Sequence, residues 1–261
     1  MATLFHVKEF FRYLLKSKGI YSIHSPFVFD FVRNVLHDNR TFYCYEEIEM
    51  LRSTLLQSND VIEVIDLGAG SHGATSPVRK IKTIAKNSAT PPKYAQLLFR
   101  IGNYFECRRI IELGTSLGLT SLYLSFVSKE AKVNTLEGDA QLASLAEKNF
   151  QSLGRQNITL FRGSFEKNLE EALRPLGKTD LAYLDGNHRR EATIKYFDTL
   201  LPFTDEKSIV IIGDIHWSPE MKEAWEDIIS KPRVITTLDL FFFGIIFFRK
   251  ELSKQHFILR W

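Results

Sequence analysis

The stretch Arg109-Ile-Ile-Glu-Leu-Gly-Thr-Ser-Leu-Gly118 decides the fold of this 261-residue chain. An apolar run typical of a strand ends there in a glycine-containing turn, and a run with helical periodicity begins at Gly118. Beyond this point, short β-branched segments alternate with longer amphipathic segments. This alternation predicts βαβ units that build a parallel sheet, so the fold class is α/β with a Rossmann-like sheet.

Five parallel strands are predicted from residue 109 onward, at 109–113, 132–136, 157–161, 180–184 and 208–212. Helices are predicted between them at 118–128, 139–151, 165–174, 189–200 and 219–229, with Asp139 and Ser218 as N-caps. Two further β-rich runs, 234–240 and 244–250, follow each other so closely that they must pair antiparallel as a hairpin. The predicted sheet therefore has seven strands.

Before residue 109 the sequence has a helical pattern without strands of the main sheet. Phe5, Phe10, Phe11, Leu14 and Leu15 recur at helical spacing, Ser25-Pro26 begins a second helical run, and 45–56 and 93–104 give two more. We expect the first aromatic stripe to face the core, because an interfacial membrane helix would have a richer basic face. Residues 1–89 are thus predicted to form an N-terminal helical cap that contributes to substrate binding, and residues 90–261 to form the main domain.

Composition excludes several classes of protein. Lys and Arg number 34 against 31 Asp and Glu, a net charge of +3 that does not nominate a nucleic-acid partner. The longest apolar run, 240–248, is about half of what a membrane-spanning helix needs. Cys44 and Cys107 lie far apart without metal-ligand spacing, and the first residues do not resemble a signal peptide. We expect a cytoplasmic protein without a membrane span.

Two glycine-containing loops could hold a cofactor. The first has a G-x-G-x-x-G pattern at Gly68, Gly70 and Gly73, but no Asp or Glu lies between Leu67 and Phe105 to bind a ribose. We therefore predict that 66–72 is a turn beside the main sheet. The alternative is a contribution to a substrate pocket through Ser71 and His72 and the basic residues Arg79, Lys80 and Lys82.

The second loop has the spacing E-x-G-x-x-x-G, from Glu112 through Gly114 to Gly118. A helix and a strand follow, and Glu137 lies at the carboxyl end of that strand, where a ribose diol would bind. Glycines allow the backbone to approach a ligand without phosphates, and the helix N-terminus can face a carboxylate. These features suit S-adenosylmethionine, whose methionine part carries a carboxylate.

An ordered set of motifs gives a more specific indication than either loop. The motifs are 94–98 (YAQLL), 112–118 (ELGTSLG), 135–138 (TLEG), 162–165 (RGSF), 183–188 (YLDGNH) and 213–217 (GDIHW). With them, residues 90–250 resemble a class I S-adenosylmethionine-dependent methyltransferase, similar to the small-molecule O-methyltransferases related to catechol O-methyltransferase. The segment Ile23–Asp30 resembles the leader of uncharacterised bacterial members of this group.

The resemblance implies a role for each motif. The loop with Glu112, Gly114, Ser116 and Gly118 would surround the methionine portion, and Glu137 would accept hydrogen bonds from the ribose hydroxyls. Ser164 and Phe165 would form the adenine pocket. Asp185, at the end of the fourth strand, would lie next to the sulfonium methyl group.

Two mechanisms of acceptor activation remain open. Asp185 and Asp214, at neighbouring strand ends, could bind a divalent cation such as Mg²⁺, which would lower the pKa of a substrate hydroxyl. Alternatively His188 or His216, each within three residues of one of these carboxylates, could act as a general base. Because the sequence lacks the Asp-Ala-Asp-Lys run and the Asp-Asn pair of the catechol-type relatives, we favour the histidine mechanism.

The expected function is methyl transfer from S-adenosylmethionine to a hydroxyl, rather than an amine, of a small-molecule or glycan-like acceptor. A cofactor-binding or scaffold protein without turnover is the alternative from a different class. An NADP-dependent oxidoreductase that uses Gly68–Gly73 is a third and weaker one. The sequence leaves homo-oligomerisation open.

Overall fold

The computed structural model describes residues 4–64 and 77–261. The loop with Gly68, Gly70 and Gly73, including Ser71 and His72, lies outside the described residues. The chain divides into two compact units, a terminal unit of Met1–Asp38 with Gly177–Trp261 and a middle unit of Asn39–Leu176. Residues 1–89 are therefore shared between the units, and the boundary predicted at residues 89 and 90 stays a prediction.

The described residues form helices and strands close to the predicted ones. The helices are α1 (Leu4–Lys16), α2 (Pro26–Phe31, continued by a π-helical turn over Val32–Leu36), α3 (Tyr43–Gln57), α4 (Ile81–Asn87), α5 (Pro92–Tyr104), α6 (Leu119–Ser125), α7 (Ala140–Ser152), α8 (Phe165–Leu173), α9 (Arg190–Leu200) and α10 (Pro219–Ser230). The strands are β1 (Val61–Glu63), β2 (Val78–Lys80), β3 (Arg109–Leu113), β4 (Lys132–Glu137), β5 (Ile158–Arg162), β6 (Leu181–Leu184), β7 (Ile209–Gly213), β8 (Thr236–Asp239), β9 (Phe243–Phe247) and β10 (Gln255–Ile258).

The middle unit contains three parallel strands in the order β3-β4-β5. Most of β3 and β4 is buried, as expected for parallel strands with both faces covered. A separate antiparallel pair, β1 with β2, precedes α4. This pair was not predicted as a sheet, because each of its strands has only three residues.

The terminal unit contains five strands in the order β10-β8-β9-β7-β6. β6 and β7 are parallel, and β9 pairs antiparallel with both β7 and β8, which confirms the predicted hairpin. The prediction missed β10, a strand with two exposed and two half-buried residues that pairs parallel with β8. The fold is thus mixed α/β with a mostly parallel main sheet of eight strands, one more than predicted.

The predicted helix caps are confirmed. The Asp139 carboxylate accepts from the backbone N–H groups of Gln141 and Leu142 at 2.8 and 2.7 Å, and the Ser218 hydroxyl accepts from Met221. Helix α6 is shorter at both ends than predicted, because Gly118 stands before it in a left-handed conformation and Phe126 ends it.

The prediction for the aromatic stripe of α1 was largely wrong. Phe11 and Leu15 are 62% and 88% exposed, whereas Glu9 is 2% exposed and Tyr13 is buried. The Glu9 carboxylate can be buried because it forms ion pairs with Arg12 and Lys222. Among the described residues, no helix is both long enough and apolar enough to cross a membrane.

Candidate active site

The loop after β3 is fixed against the end of β4. Gly114 has a φ of +101°, a conformation that glycine adopts readily and that other residues rarely do. Its N–H and that of Thr115 both donate to the Leu136 carbonyl, at 3.0 and 3.1 Å. The turn therefore returns to the neighbouring strand immediately before Glu137.

Glu137 connects this loop to the next one. Its carboxylate accepts from the backbone N–H of Ser116 at 2.7 Å and from that of Asp139 at 2.9 Å. Burial raises the pKa of Glu137, and these backbone hydrogen bonds partly offset the effect. Because a carboxylate offers about four lone-pair positions, these backbone donors leave acceptor capacity for a ligand group such as a ribose hydroxyl.

The structure places Glu112 in the interior rather than at the surface of the loop. It is fully buried, and its carboxylate accepts from the hydroxyl groups of Ser121 and Thr135, the latter at 2.7 Å. The Thr135 hydroxyl also lies 2.6 Å from that of Thr115. Glu112 thus stabilises the loop from inside, and its predicted contact with the methionine portion stays a prediction.

Gly118 has a structural reason to be glycine. Its φ is +78°, and a Cβ atom at this position would overlap the ring of Phe150 in α7. The Asn149 side chain, also in α7, donates to the Leu117 carbonyl at 2.8 Å. Close packing of the turn before α6 against α7 therefore accounts for this glycine without a ligand.

The loop after β5 lies next to the other two. The Gly163 N–H donates to the Glu137 carbonyl at 2.8 Å, and Gly163 has a φ of +115°. Ser164 is the N-cap residue of α8, and its side chain makes no capping hydrogen bond there. Ser164 and Phe165 are half-buried, so both side chains lie partly at the surface of this loop. The structure thus brings the predicted cofactor residues of the middle unit to one edge of β3, β4 and β5.

A second group of predicted residues converges in the terminal unit. Asp185, His188 and Asp214 each place a carboxylate oxygen or ring nitrogen within 4.8 Å of the other two. The His188 Nε2 lies 3.9 Å from the Asp185 Oδ1, and the Tyr183 hydroxyl donates to the Asp185 Oδ2 at 2.6 Å. Tyr183 was missed by the sequence analysis, although it stands two residues before Asp185, on the same face of β6.

The backbone around this group is strained. Asn187, His188 and Asp214 have φ values of 72°, 49° and 54°, which non-glycine residues rarely adopt. Such strain persists only where the surrounding structure imposes it, and it is frequent at active sites. Burial raises the pKa of Asp214 to about 6, with a further increase from Asp185 and a decrease from His188.

The donor set of this group fits a divalent cation. Two carboxylates and an imidazole are common metal ligands, and the Asn187 Oδ1 is buried without a hydrogen-bond partner. A Cβ atom on Gly213 would overlap the Asp185 Oδ1, so the space for this carboxylate depends on that glycine. The same arrangement also suits a histidine base, because Asp185 can stabilise a protonated His188.

His216 does not join this group. Its Nε2 lies 2.7 Å from the Asp239 Oδ2, and its ring stacks on Phe241 at a centroid distance of 5.2 Å. Asp239 was also missed, because it ends β8, and no sequence signal links that strand end to His216. The catalytic role predicted for His216 stays a prediction.

The part of the chain that contains these loops matches a known protein family. Residues 111–215 match a family model described as a methyltransferase domain. No curated protein sequence matches the chain.

Solved structures match the fold at low sequence identity. An SAH-bound methyltransferase from Podospora anserina has a TM-score of 0.61 and 14% identity, over 87% of this chain and 98% of that one. An O-methyltransferase from Bacillus cereus in complex with SAH has a TM-score of 0.54 and 16% identity, over 84% and 96% of the two chains. The O-methyltransferase TomG from Streptomyces achromogenes, in complex with SAM, has a TM-score of 0.56 and 13% identity, over 84% and 95%.

The domain match contains the loop from Glu112 to Gly118, Glu137, and the strand ends with Asp185 and Asp214. These are the positions on which the sequence-based resemblance was founded, and the structural matches extend the same fold to most of the chain. The resemblance is therefore confirmed at the level of domain and fold: residues 111–215 match a methyltransferase domain, and the chain has the fold of the O-methyltransferases compared above.

Proposed function

We propose that this protein transfers a methyl group from S-adenosylmethionine to a hydroxyl of a small-molecule or glycan-like acceptor. The observation that carries the proposal is the Glu137 carboxylate, which is bound to the Ser116 loop through one oxygen and retains acceptor capacity. An acidic residue held in this way at a strand end can accept from two adjacent ribose hydroxyls.

The neighbouring loops would bind the other parts of S-adenosylmethionine, the methyl donor. The backbone around Gly114 would approach the methionine portion, and Ser116 would contribute a hydroxyl. Ser164 would read an edge of the adenine ring, against which Phe165 would pack. S-adenosylhomocysteine, the product, keeps all of these groups and loses only the methyl.

Activation of the acceptor is assigned to the group in the terminal unit. His188, with Asp185 beside it, would accept the hydroxyl proton at a ring nitrogen while the oxygen attacks the methyl carbon and the carbon–sulfur bond breaks. Asp185 would then stabilise the imidazolium. A divalent cation such as Mg²⁺, held by Asp185 and Asp214, would instead supply a lower pKa for a bound hydroxyl.

The alternatives fit the observations less well. A dinucleotide-dependent oxidoreductase would rely on Gly68, Gly70 and Gly73, whereas the domain match begins at residue 111. A scaffold without turnover has no need for the strained conformations at His188 and Asp214, which are costly to maintain.

Calorimetric titration with S-adenosylhomocysteine tests the donor site. We expect Glu137→Ala to weaken binding by about 1.5 to 3 kcal/mol, roughly 10- to 150-fold, because charge-assisted hydrogen bonds are lost. Glu137→Gln keeps one acceptor oxygen and should lose less. Glu171→Gln, at an exposed position of α8, is the matched control and should bind normally. Unchanged affinity in Glu137→Ala, or tight binding of NADP by the wild-type protein, would contradict the proposal.

Activity on a panel of hydroxylated acceptors, with and without EDTA, tests whether the protein transfers a methyl group and whether a histidine or a cation activates the acceptor. If His188 is the base, we expect chelation to have no effect and His188→Ala to lower turnover by roughly 10²- to 10⁴-fold. The exposed His37→Ala serves as control. Loss of activity in EDTA with recovery in Mg²⁺ would instead assign the role to a cation. Absence of turnover on any acceptor would favour the scaffold.

A further inference from the structure

Helix α1 is firmly attached to the terminal unit by one face. Glu9 is buried and pairs with Lys222 at 3.0 Å, and the Tyr13 hydroxyl donates to the Leu259 carbonyl. At the end of the helix, the Arg260 side chain donates to the Leu14 carbonyl at 2.8 Å. The orientation of α1 about its own axis is therefore fixed.

The opposite face of α1 carries a line of exposed apolar side chains. Leu4, Val7, Phe11 and Leu15 are 87%, 42%, 62% and 88% exposed. Their spacing of three, four and four residues places them on one side of the helix. Single exposed apolar residues are ordinary, but an uninterrupted line of large ones marks an interaction surface. We call these four residues the apolar stripe.

The exposed charged residues of α1 itself, and of the residues just after it, are positive. Four cations, Lys8, Arg12, Lys16 and Lys18, are exposed there. Between residues 4 and 29, Glu9 is the only acidic residue, and it is 2% exposed. This carboxylate pairs with Arg12 and Lys222, so in this segment of the described chain no exposed carboxylate offsets Lys8, Lys16 and Lys18.

We propose that α1 lies on an anionic lipid surface, with the apolar stripe inserted at the boundary between headgroups and acyl chains and the lysines bound to lipid phosphates. The basic face of α1 is smaller than that of a typical interfacial helix, but the structure buries its one carboxylate and exposes its Phe and Leu side chains, so the helix is suited to this position. A second copy of the chain fits less well, because pairing through the same face would bring cations against cations. The helix would lie on the membrane and would not span it.

The test is co-sedimentation of the full chain with phospholipid vesicles at low and high salt. We expect binding to vesicles of roughly equal phosphatidylcholine and phosphatidylglycerol to exceed binding to phosphatidylcholine alone by about tenfold, and to weaken in high salt. The double variants Phe11→Ser/Leu15→Ser and Lys8→Glu/Lys16→Glu should each lower binding by about tenfold or more. Their melting temperatures should be unchanged, because the substituted side chains are exposed.

Met50→Ser is the matched control, since Met50 on α3 is 65% exposed, as Phe11 is 62% exposed. This variant should bind vesicles as the wild type does. The proposal is overturned if the wild-type protein does not sediment with anionic vesicles, or if Phe11→Ser/Leu15→Ser still does so at the wild-type level. A concentration-dependent dimer in light scattering that Phe11→Ser/Leu15→Ser abolishes, without lipid binding, would instead assign the surface to a second copy.

Discussion

Burial raises the pKa of the Asp214 carboxyl to about 6, well above its ordinary value of 3.8. In the folded state the proton is therefore held over a pH range in which the unfolded chain has already released it. The folded state binds more protons between about pH 4 and 6, so its stability falls as the pH rises through this range. Near neutral pH, the folded protein holds an ionised carboxylate close to Asp185.

Asp214→Asn should remove this pH dependence. With EDTA present to exclude cations, we expect the melting temperature of Asp214→Asn relative to the wild type to increase as the pH rises from 4 to 7, and to change little below pH 4. Thermal melts across this range provide the measurement. A temperature difference that stays constant with pH would show that Asp214 has an ordinary pKa.

The sequence predicted the positions of some site residues and not of others. Asp185, His188 and Asp214 could be found because each follows a strand in a parallel sheet, and the carboxyl ends of such strands meet at one edge. His216 looked equivalent to His188 in sequence. Its partner Asp239 is 23 positions away on a strand whose register only the fold establishes.

At the scale of elements, the two glycines of the loop from Glu112 to Gly118 have different tasks. Gly114 lies where the backbone would approach the cofactor, whereas Gly118 fits against Phe150 of α7. Both glycines belong to one motif and both have positive φ values. The motif spacing therefore predicts the same role for the two, although the structure separates them. Substitution of each glycine by alanine should therefore separate an effect on S-adenosylhomocysteine affinity from an effect on the free energy of unfolding.

We expect Gly114→Ala to reduce S-adenosylhomocysteine affinity strongly, because a Cβ atom would intrude on the approach of the ligand. Gly118→Ala should mainly lower the free energy of unfolding, by about 1 to 3 kcal/mol, because its Cβ atom would overlap a packed ring. Urea unfolding and calorimetry on both variants provide the measurement. The reverse ranking would show that backbone conformation, rather than ligand approach, constrains residue 114.

Strands of the main sheet were predictable to different degrees. β3 was predicted at its observed bounds, because it has apolar residues on both faces, Ile110 on one and Ile111 and Leu113 on the other, as is typical of a central parallel strand. β10 has the sequence Gln-His-Phe-Ile, which is too short and too polar to distinguish from a loop. Its formation depends on the exposed edge of β8, which lies nearly 20 residues earlier in the chain.

At the scale of the whole molecule, the two ends of the chain belong to one compact unit. The Lys18 N–H donates to the Ile258 carbonyl at 2.8 Å, and the Arg260 N–H donates to the Lys18 carbonyl at 3.1 Å. The Trp261 indole N–H donates to the Leu36 carbonyl at 2.8 Å. A local reading of the sequence assigned residues 1–89 to one cap, because nothing near residue 18 indicates a partner more than 200 positions away.

These contacts predict that the last residues hold α1 in place. Deletion of residues 259–261 removes Leu259, which is 2% exposed and whose carbonyl accepts from Tyr13, together with the hydrogen bonds of Arg260 and Trp261. We expect this deletion to lower the melting temperature and to increase hydrogen exchange over residues 4–18 far more than over α10, whose own helical hydrogen bonds remain. Trp261→Phe keeps the ring and loses only one hydrogen bond, so it should lie close to the wild type. If exchange in 4–18 stays at the wild-type level after the deletion, the Glu9–Lys222 ion pair and the aromatic contacts of Phe10 suffice to hold the helix.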